Sequence, residues 1–227
     1  MEFKDFKKMI ESFSSLEQVN IGGGEPLLNR DLQKMVEFSV LKGIKTDISS
    51  NGLVFPDQLI ELATRFPALV SLQINFPAAE ESVFNDVTQT HGNFKILIDN
   101  IKKLAESELK PRLRLTLCKQ NVGQIVPVAT LARDLNLPLY IELAFPIRED
   151  KTYILSQKEV TDAYLMLLQM KMLYPRIYNE WDDSKTTCPL LAKAYSLELK
   201  GNCCAGTARE NIYIDQTGHK KRCEFYG

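Results

Sequence analysis

No stretch of these 227 residues approaches the ~18–20 consecutive apolar residues of a membrane-spanning helix. A membrane is therefore not an expected partner. An excess of one charge is missing too. Twenty-eight Lys and Arg stand against 29 Asp and Glu, for a formal net charge of -1, whereas obligatory nucleic-acid binding needs a basic surface. Nucleic acid is not an expected partner either. Histidine is scarce: His91 and His219 have no partners at ligand spacing and read as surface residues. Cysteine is nearly absent from the first four-fifths of the chain. Of five cysteines only Cys118 precedes Cys188, while a secreted disulfide scaffold would be shorter and would spread its thiols. The opening MEFKDFKKMIESF mixes charge with Phe at helical spacing, unlike a secretory signal. The expected location is the cytoplasm.

What is present is alternation. Phe3, Phe6, Met9, Ile10 and Phe13 share a helical face and precede a short strand, Gln18–Ile21. Leu32, Met35, Val36 and Val40 then lead to a strand over Lys45–Ser49, and Leu59, Ile60 and Ala63 to one over Leu69–Ile74. The clearest stripe, Phe94 through Ala105, precedes Leu113–Leu117, and Ile125 to Ala132 precedes Leu139–Leu143. Strict helix–strand alternation predicts an α/β fold with a parallel sheet and its helices outside. LEQVNI and LVSLQI imitate a leucine-rich repeat, but their spacing is irregular, which argues against a solenoid. From Ser156 the character changes. Ser156 and Glu159 fit a capping box that opens a Leu- and Met-rich helix ending near Pro175. Beyond Trp181 lie the late cysteines and strand-like pieces such as Asn211–Ile214. No low-complexity linker intervenes, so the tail is expected to pack on the barrel edge. The expected organisation is a partial barrel over 1–155, a connecting helix and linker over 156–187, and a cysteine-rich region over 188–227.

Ligands of parallel α/β sheets sit at the carboxyl ends of the strands. Gly22-Gly23-Gly24-Glu25-Pro26 lies at such an end. Glycines there allow close approach to the main chain and leave carbonyls unshielded. Glu25 adds a fixed negative charge, which suits an ammonium group and is the opposite of a phosphate loop. The alternative is a glycine turn before a helix whose first turn favours Glu. Ser49-Ser50-Asn51-Gly52 ends the next strand; its hydroxyls and carboxamide suit a ribose, although Asn-Gly is also a common turn. Asn121, three residues before Gln124, reads as a helix N-cap. In the tail, thirteen residues separate Cys204 from Gly218 and four separate Gly218 from Cys223, with Cys188 and Cys203 upstream. Thiolates gathered by a hairpin suit an iron–sulfur cluster or zinc; the alternative is a set of buried free cysteines. Cys118 reads as a core residue.

Taken in order, these motifs resemble the radical SAM enzymes that carry a C-terminal SPASM or twitch domain. VNIGGGEPLLNRDL resembles the family's GGE motif, ISSNG its ribose-side strand end, and VSLQINFPAAEESVFNDVTQTHGNFKILIDNI its fourth strand and the segment after it. Asn75 and Phe76 stand where many relatives carry an acid and a glycine. Cys204 to Cys223 resembles the C-x(9–15)-G-x(4)-C opening of an auxiliary-cluster domain. The resemblance implies a partial parallel (β/α)6-type barrel lacking its first strand. It also implies S-adenosylmethionine bound by Gly23, Gly24, Glu25, Pro26, Ser49, Asn51 and Asn121. For metal it implies an auxiliary 4Fe–4S cluster with Cys188, Cys203, Cys204 and Cys223 as candidate ligands. The implied activity is generation of a 5′-deoxyadenosyl radical that modifies a peptide or protein, with flavodoxin or ferredoxin as reductant. These residues contain no CxxxCxxC, the motif that ligates the SAM-cleaving cluster, and the last SPASM cysteines are also missing. The alternative is a non-catalytic, degenerate barrel that binds a peptide or partner and holds structural zinc.

Overall fold

The computed structural model describes residues 1–107, 109–145, 152–179, 181, 185–186, 189–199, 213–214 and 220–221. Six parallel strands form one sheet in chain order: β1 (Gln18–Ile21), β2 (Lys45–Ser50), β3 (Val70–Asn75), β4 (Arg112–Leu117), β5 (Leu139–Leu143) and β6 (Ile177–Asn179). A helix precedes β1: α1 (Phe3–Glu11). The crossovers carry α2 (Leu32–Leu41), α3 (Asp57–Arg65), α4 (Glu81–Thr88) with α5 (Asn93–Ala105), α6 (Ile125–Asp134), and α7 (Gln157–Leu173). The parallel sheet is as the helix–strand alternation predicts, and its open, partial barrel is as the resemblance implies. The sixth strand was not anticipated; it is three residues long and pairs Leu139 with Ile177. The outer edge of β1 has no strand partner among the described residues.

Alternation within the strands divides the sheet into two unlike faces. Ile48, Leu72, Ile74, Leu113, Leu115, Leu117, Ile141 and Leu143 are buried against the helices. The helices answer at helical spacing, with Val36 and Val40, Leu97, Ile101 and Leu104, and Val128, Ala129 and Ala132. Parallel sheets are usually apolar on both faces. Here the inner face, turned away from the helices, is polar. On it Arg112 and Ser71 both hold Asp47, Arg114 and Thr116 both hold Glu142, and Tyr140 stacks on Tyr178 with ring centroids 5.0 Å apart.

Local signals are realised where the chemistry is strong. Ser156 caps α7: its Oγ accepts the Glu159 N–H at 3.3 Å, while Glu159 Oε2 accepts the Ser156 N–H at 2.7 Å. The Ser156 N–H and, at 2.7 Å, the Ser156 hydroxyl both donate to Glu159 Oε2 and hold that carboxyl below its ordinary range. The helix ends at Tyr174, before Pro175. Beyond it, Trp181, Leu191, Tyr195 and Leu197 join the same core as the barrel, so this part of the tail packs on the barrel as expected. Tyr195, from the helix α8 (Pro189–Tyr195), donates its hydroxyl to the Ala144 carbonyl at 2.6 Å; burial pushes its phenol far up. Farther on, Tyr213–Ile214 and Lys220–Lys221 pair antiparallel.

Candidate functional site

All six strands point their carboxyl ends to one edge of the sheet, and the glycine turn stands there. Gly23 and Gly24 follow β1 with φ of 81° and 55°. A side chain at either position would be strained by that left-handed backbone, yet a Cβ there would meet nothing within 4 Å. The glycines thus leave an open approach to the main chain.

Glu25 turns back from this loop and ties it to β2. Its Oε1 accepts the Leu27 N–H at 3.0 Å and the Ser50 hydroxyl at 2.9 Å; its Oε2 accepts the Asn51 N–H at 2.7 Å. The bond to Leu27 caps the short 3-10 turn Pro26–Leu28, in which Pro26 is buried. Glu25 is thus the capping residue of that turn, and its carboxylate stands at the strand ends. Two carboxylate oxygens offer about four acceptor positions. Among the described residues three of these are used by the chain itself, which leaves one on Oε2.

The adjacent turn is shaped by Asn51 and Gly52. Asn51 Oδ1 accepts the Leu53 N–H at 3.0 Å, and Ser50 Oγ accepts the Gly52 N–H at 2.9 Å. Gly52 has φ of 77°, and a Cβ on it would press 2.5 Å from Leu97 Cδ1 and 2.8 Å from Ile74 Cγ2. Only glycine fits. Ser49 points to the inner face, where Gln73 Nε2 lies 3.4 Å from its hydroxyl. Sequence reading singled out Ser49 and Asn51; the serine that touches Glu25 is Ser50.

Asn121 is completely buried. Its Nδ2 donates to the carbonyls of Pro77 at 3.0 Å and Thr116 at 2.9 Å, and its Oδ1 accepts the Cys118 N–H at 2.8 Å. It stands at the start of the turn Val122–Gln124 but makes no side-chain capping bond there. Gln124 extends the same strut, accepting the Ala79 N–H at 3.0 Å and donating to Glu80 Oε1 at 2.9 Å. Together they clamp the loop after β3 to the loop after β4. Burial pushes the Cys118 thiol up, and it is a free cysteine.

A cavity of about 630 Å³ opens between the ends of β2, β3 and β4 and helix α4, with Asn51, Leu53, Phe76, Phe84, Val87 and Arg114 among its lining residues. It borders the Glu25 knot through Asn51. Helix α4 gave little sequence signal, since Phe84 is its one buried residue.

The chain has relatives among known proteins. Residues 1–131 match the Radical SAM superfamily. The chain belongs to that superfamily. Among its relatives, the mycofactocin maturase MftC of Mycobacterium tuberculosis is 31% identical over 117 residues, covering 50% of this chain and 29% of that protein. GTP 3′,8-cyclase of Staphylococcus epidermidis is 20% identical over 189 residues, covering 79% of this chain and 55% of that one. The fold is similar to SuiB of Streptococcus suis, solved with S-adenosylmethionine (TM-score 0.67, 15% identity, 88% of this chain and 47% of that one). It is likewise similar to anSMEcpe, solved with AdoMet and a peptide (TM-score 0.69, 12% identity, 98% of this chain and 65% of that one). The match to the maturases thus spans less than a third of their length, and the match to SuiB about half of its length.

Cys188, Cys203, Cys204 and Cys223 lie outside the described residues. Among the described residues no cluster of His, Cys, Asp and Glu is suited to a metal ion, and no helix is long and apolar enough to cross a membrane.

Proposed function

We propose that this chain forms the S-adenosylmethionine-binding core of a radical SAM enzyme that modifies a peptide. One observation carries the reading: the Glu25 carboxylate is fixed by three donors from its own chain and, among the described residues, keeps a fourth acceptor position unused, next in sequence to the uncovered main chain of Gly23 and Gly24. An α-ammonium fits that position, donating a charge-assisted hydrogen bond to Oε2. Pro26 holds the turn from behind, and Asn51 and Ser49 stand at the next strand end, where a ribose would lie. Asn121 acts on this site through loop position, because both of its N–H donors are already used.

A peptide substrate is supported by the relatives: MftC is named a maturase, and SuiB has been solved with its precursor peptide SuiA. The nucleotide supplies hydrogen-abstracting chemistry when it is reductively cleaved. These residues bind and orient it. Cleavage also needs a 4Fe–4S cluster, and the CxxxCxxC set that would hold one is not in this sequence; no cleavage step is assigned to this chain. For the tail we propose the opening of a SPASM-type domain over 188–227, with Cys188, Cys203, Cys204 and Cys223 as the auxiliary-cluster ligand pool and flavodoxin or ferredoxin as electron donor. The spacing of Cys204, Gly218 and Cys223 supports it.

Calorimetric titration with S-adenosylmethionine tests the core reading. Saturable binding is expected, weakened about tenfold or more in Glu25→Ala, as a lost hydrogen bond to a charged group implies. Equal affinity in both proteins would remove the role given to Glu25.

A further inference from the structure

Resting on the peptide-substrate reading, we infer that helix α4 is the specificity element of the site and that the cavity beside it takes an uncharged, apolar side chain of the peptide. Every other described crossover of the sheet carries a single α-helix; the one between β3 and β4 carries two, and the additional α4 walls the cavity. Phe84 and Val87 reach it from α4, Leu53 from the loop after β2, and Phe76 from the end of β3. The volume of about 630 Å³ lies within the range of small-molecule sites, roughly 300–1,000 Å³. It has room for a large side chain with part of its backbone.

Charge decides the class of side chain. Arg114 is the charged residue that lines the cavity among those described, and its guanidinium is already paired with Glu142 on the neighbouring strand. An incoming anion would have to displace that partner. An incoming cation would meet Arg114 itself. Either charge would also leave water against the aromatic and aliphatic walls without a counter-ion, which is unfavourable. Asn75, Asn93 and Gln120 also line the cavity and offer amides suited to peptide main chain.

The wall is held rigidly. Asn121 bonds the Pro77 carbonyl, and Gln124 bonds the Ala79 N–H and the Glu80 carboxylate, all at the entrance to α4. Both amides are buried. They are positioning residues for the cavity wall. Phe84 is further braced by Phe94 of α5, with ring centroids 5.6 Å apart.

The test is methyl NMR of Leu53 and Val87 in this chain, titrated with N-acetyl-phenylalaninamide, N-acetyl-aspartamide and N-acetyl-lysinamide. The phenylalanine probe is expected to bind at least about tenfold more tightly than either charged probe, as burial of one aromatic side chain implies. Val87→Lys should cut that preference and favour the aspartate probe over the lysine probe. Should the variant fail to fold, the order of the three probes on the unsubstituted chain decides alone. Charged probes that bind as well, signals that shift only away from the cavity, or no shift with any probe would each overturn the proposal. S-adenosylmethionine affinity, measured separately, distinguishes the two readings. Intact nucleotide binding with no probe preference sinks the cavity assignment alone; probe preference without nucleotide binding sinks the cofactor assignment alone.

Discussion

Glu25 Oε1 accepts the hydroxyl of Ser50 at 2.9 Å, across 25 residues of sequence. The bond joins the ends of the first two strands, so the glycine turn and the SSNG turn behave as one unit. Ser50 is also buried and receives the Gly52 N–H. Ser50→Ala leaves the buried Gly52 N–H and the half-buried Glu25 carboxylate each short of a bond, at a cost of about 1–3 kcal/mol. A melt should show it as a drop of several degrees, at roughly 2–4 °C per kcal/mol for a chain of this size. Ser49→Ala, whose contact is long and partly exposed, should fall within about 0.5 kcal/mol of the unsubstituted chain, as surface changes usually do. Equal losses would contradict the assignment of the knot to Ser50.

Asn121 makes three bonds to main-chain groups while fully buried. Asn121→Ala strands those groups and should cost about 3 kcal/mol or more, since each unsatisfied buried partner costs ~1–3 kcal/mol. Urea denaturation measures it. Asn121→Asp should be at least as damaging, because its carboxylate cannot donate to Pro77 and Thr116. Weakened S-adenosylmethionine binding at unchanged stability would instead mean that Asn121 touches the nucleotide directly.

Stability should fall on the acid side partly through α7. Bonds from the backbone N–H and hydroxyl of Ser156 depress the Glu159 carboxyl in the folded chain. A depressed acid contributes stability above its unfolded value, near 4.5, and loses that contribution as pH falls through the lower folded value. Glu159→Gln keeps a capping side chain but does not titrate. The urea midpoints of the two proteins should therefore converge as pH is lowered from 6 toward 3, within the range where carboxylates of ordinary pKa near ~4 protonate. A constant gap would show that the depressed carboxyl contributes nothing.

Much of this was legible in the sequence, and the parts that were not have physical reasons. Five strands, the α5 stripe and the Ser156–Glu159 box are read from periodicity and capping chemistry, which are local. The β6 strand is not: three residues with one buried side chain, Ile177, carry no period, and only pairing with β5 makes them a strand. Helix α4 hides for a similar reason, since eight residues bury only Phe84. Ser49 and Ser50 are chemically identical neighbours, and which of them meets Glu25 depends on the β2 register, a tertiary fact. Asn121 reads locally as a cap, but its partners Pro77 and Thr116 belong to the ends of two other segments. The place of Glu25 at the strand ends was legible because it follows β1 by only a few residues, the glycines of the turn lying between.

The account depends on Glu25 recognising an ammonium group. The direct test compares S-adenosylmethionine with 5′-methylthioadenosine, which lacks the amino-acid portion, on the unsubstituted chain and on Glu25→Gln. The unsubstituted chain should prefer S-adenosylmethionine by about tenfold or more, the scale of a charge-assisted bond, and Glu25→Gln should lose most of that preference. The same preference in both proteins would contradict the account.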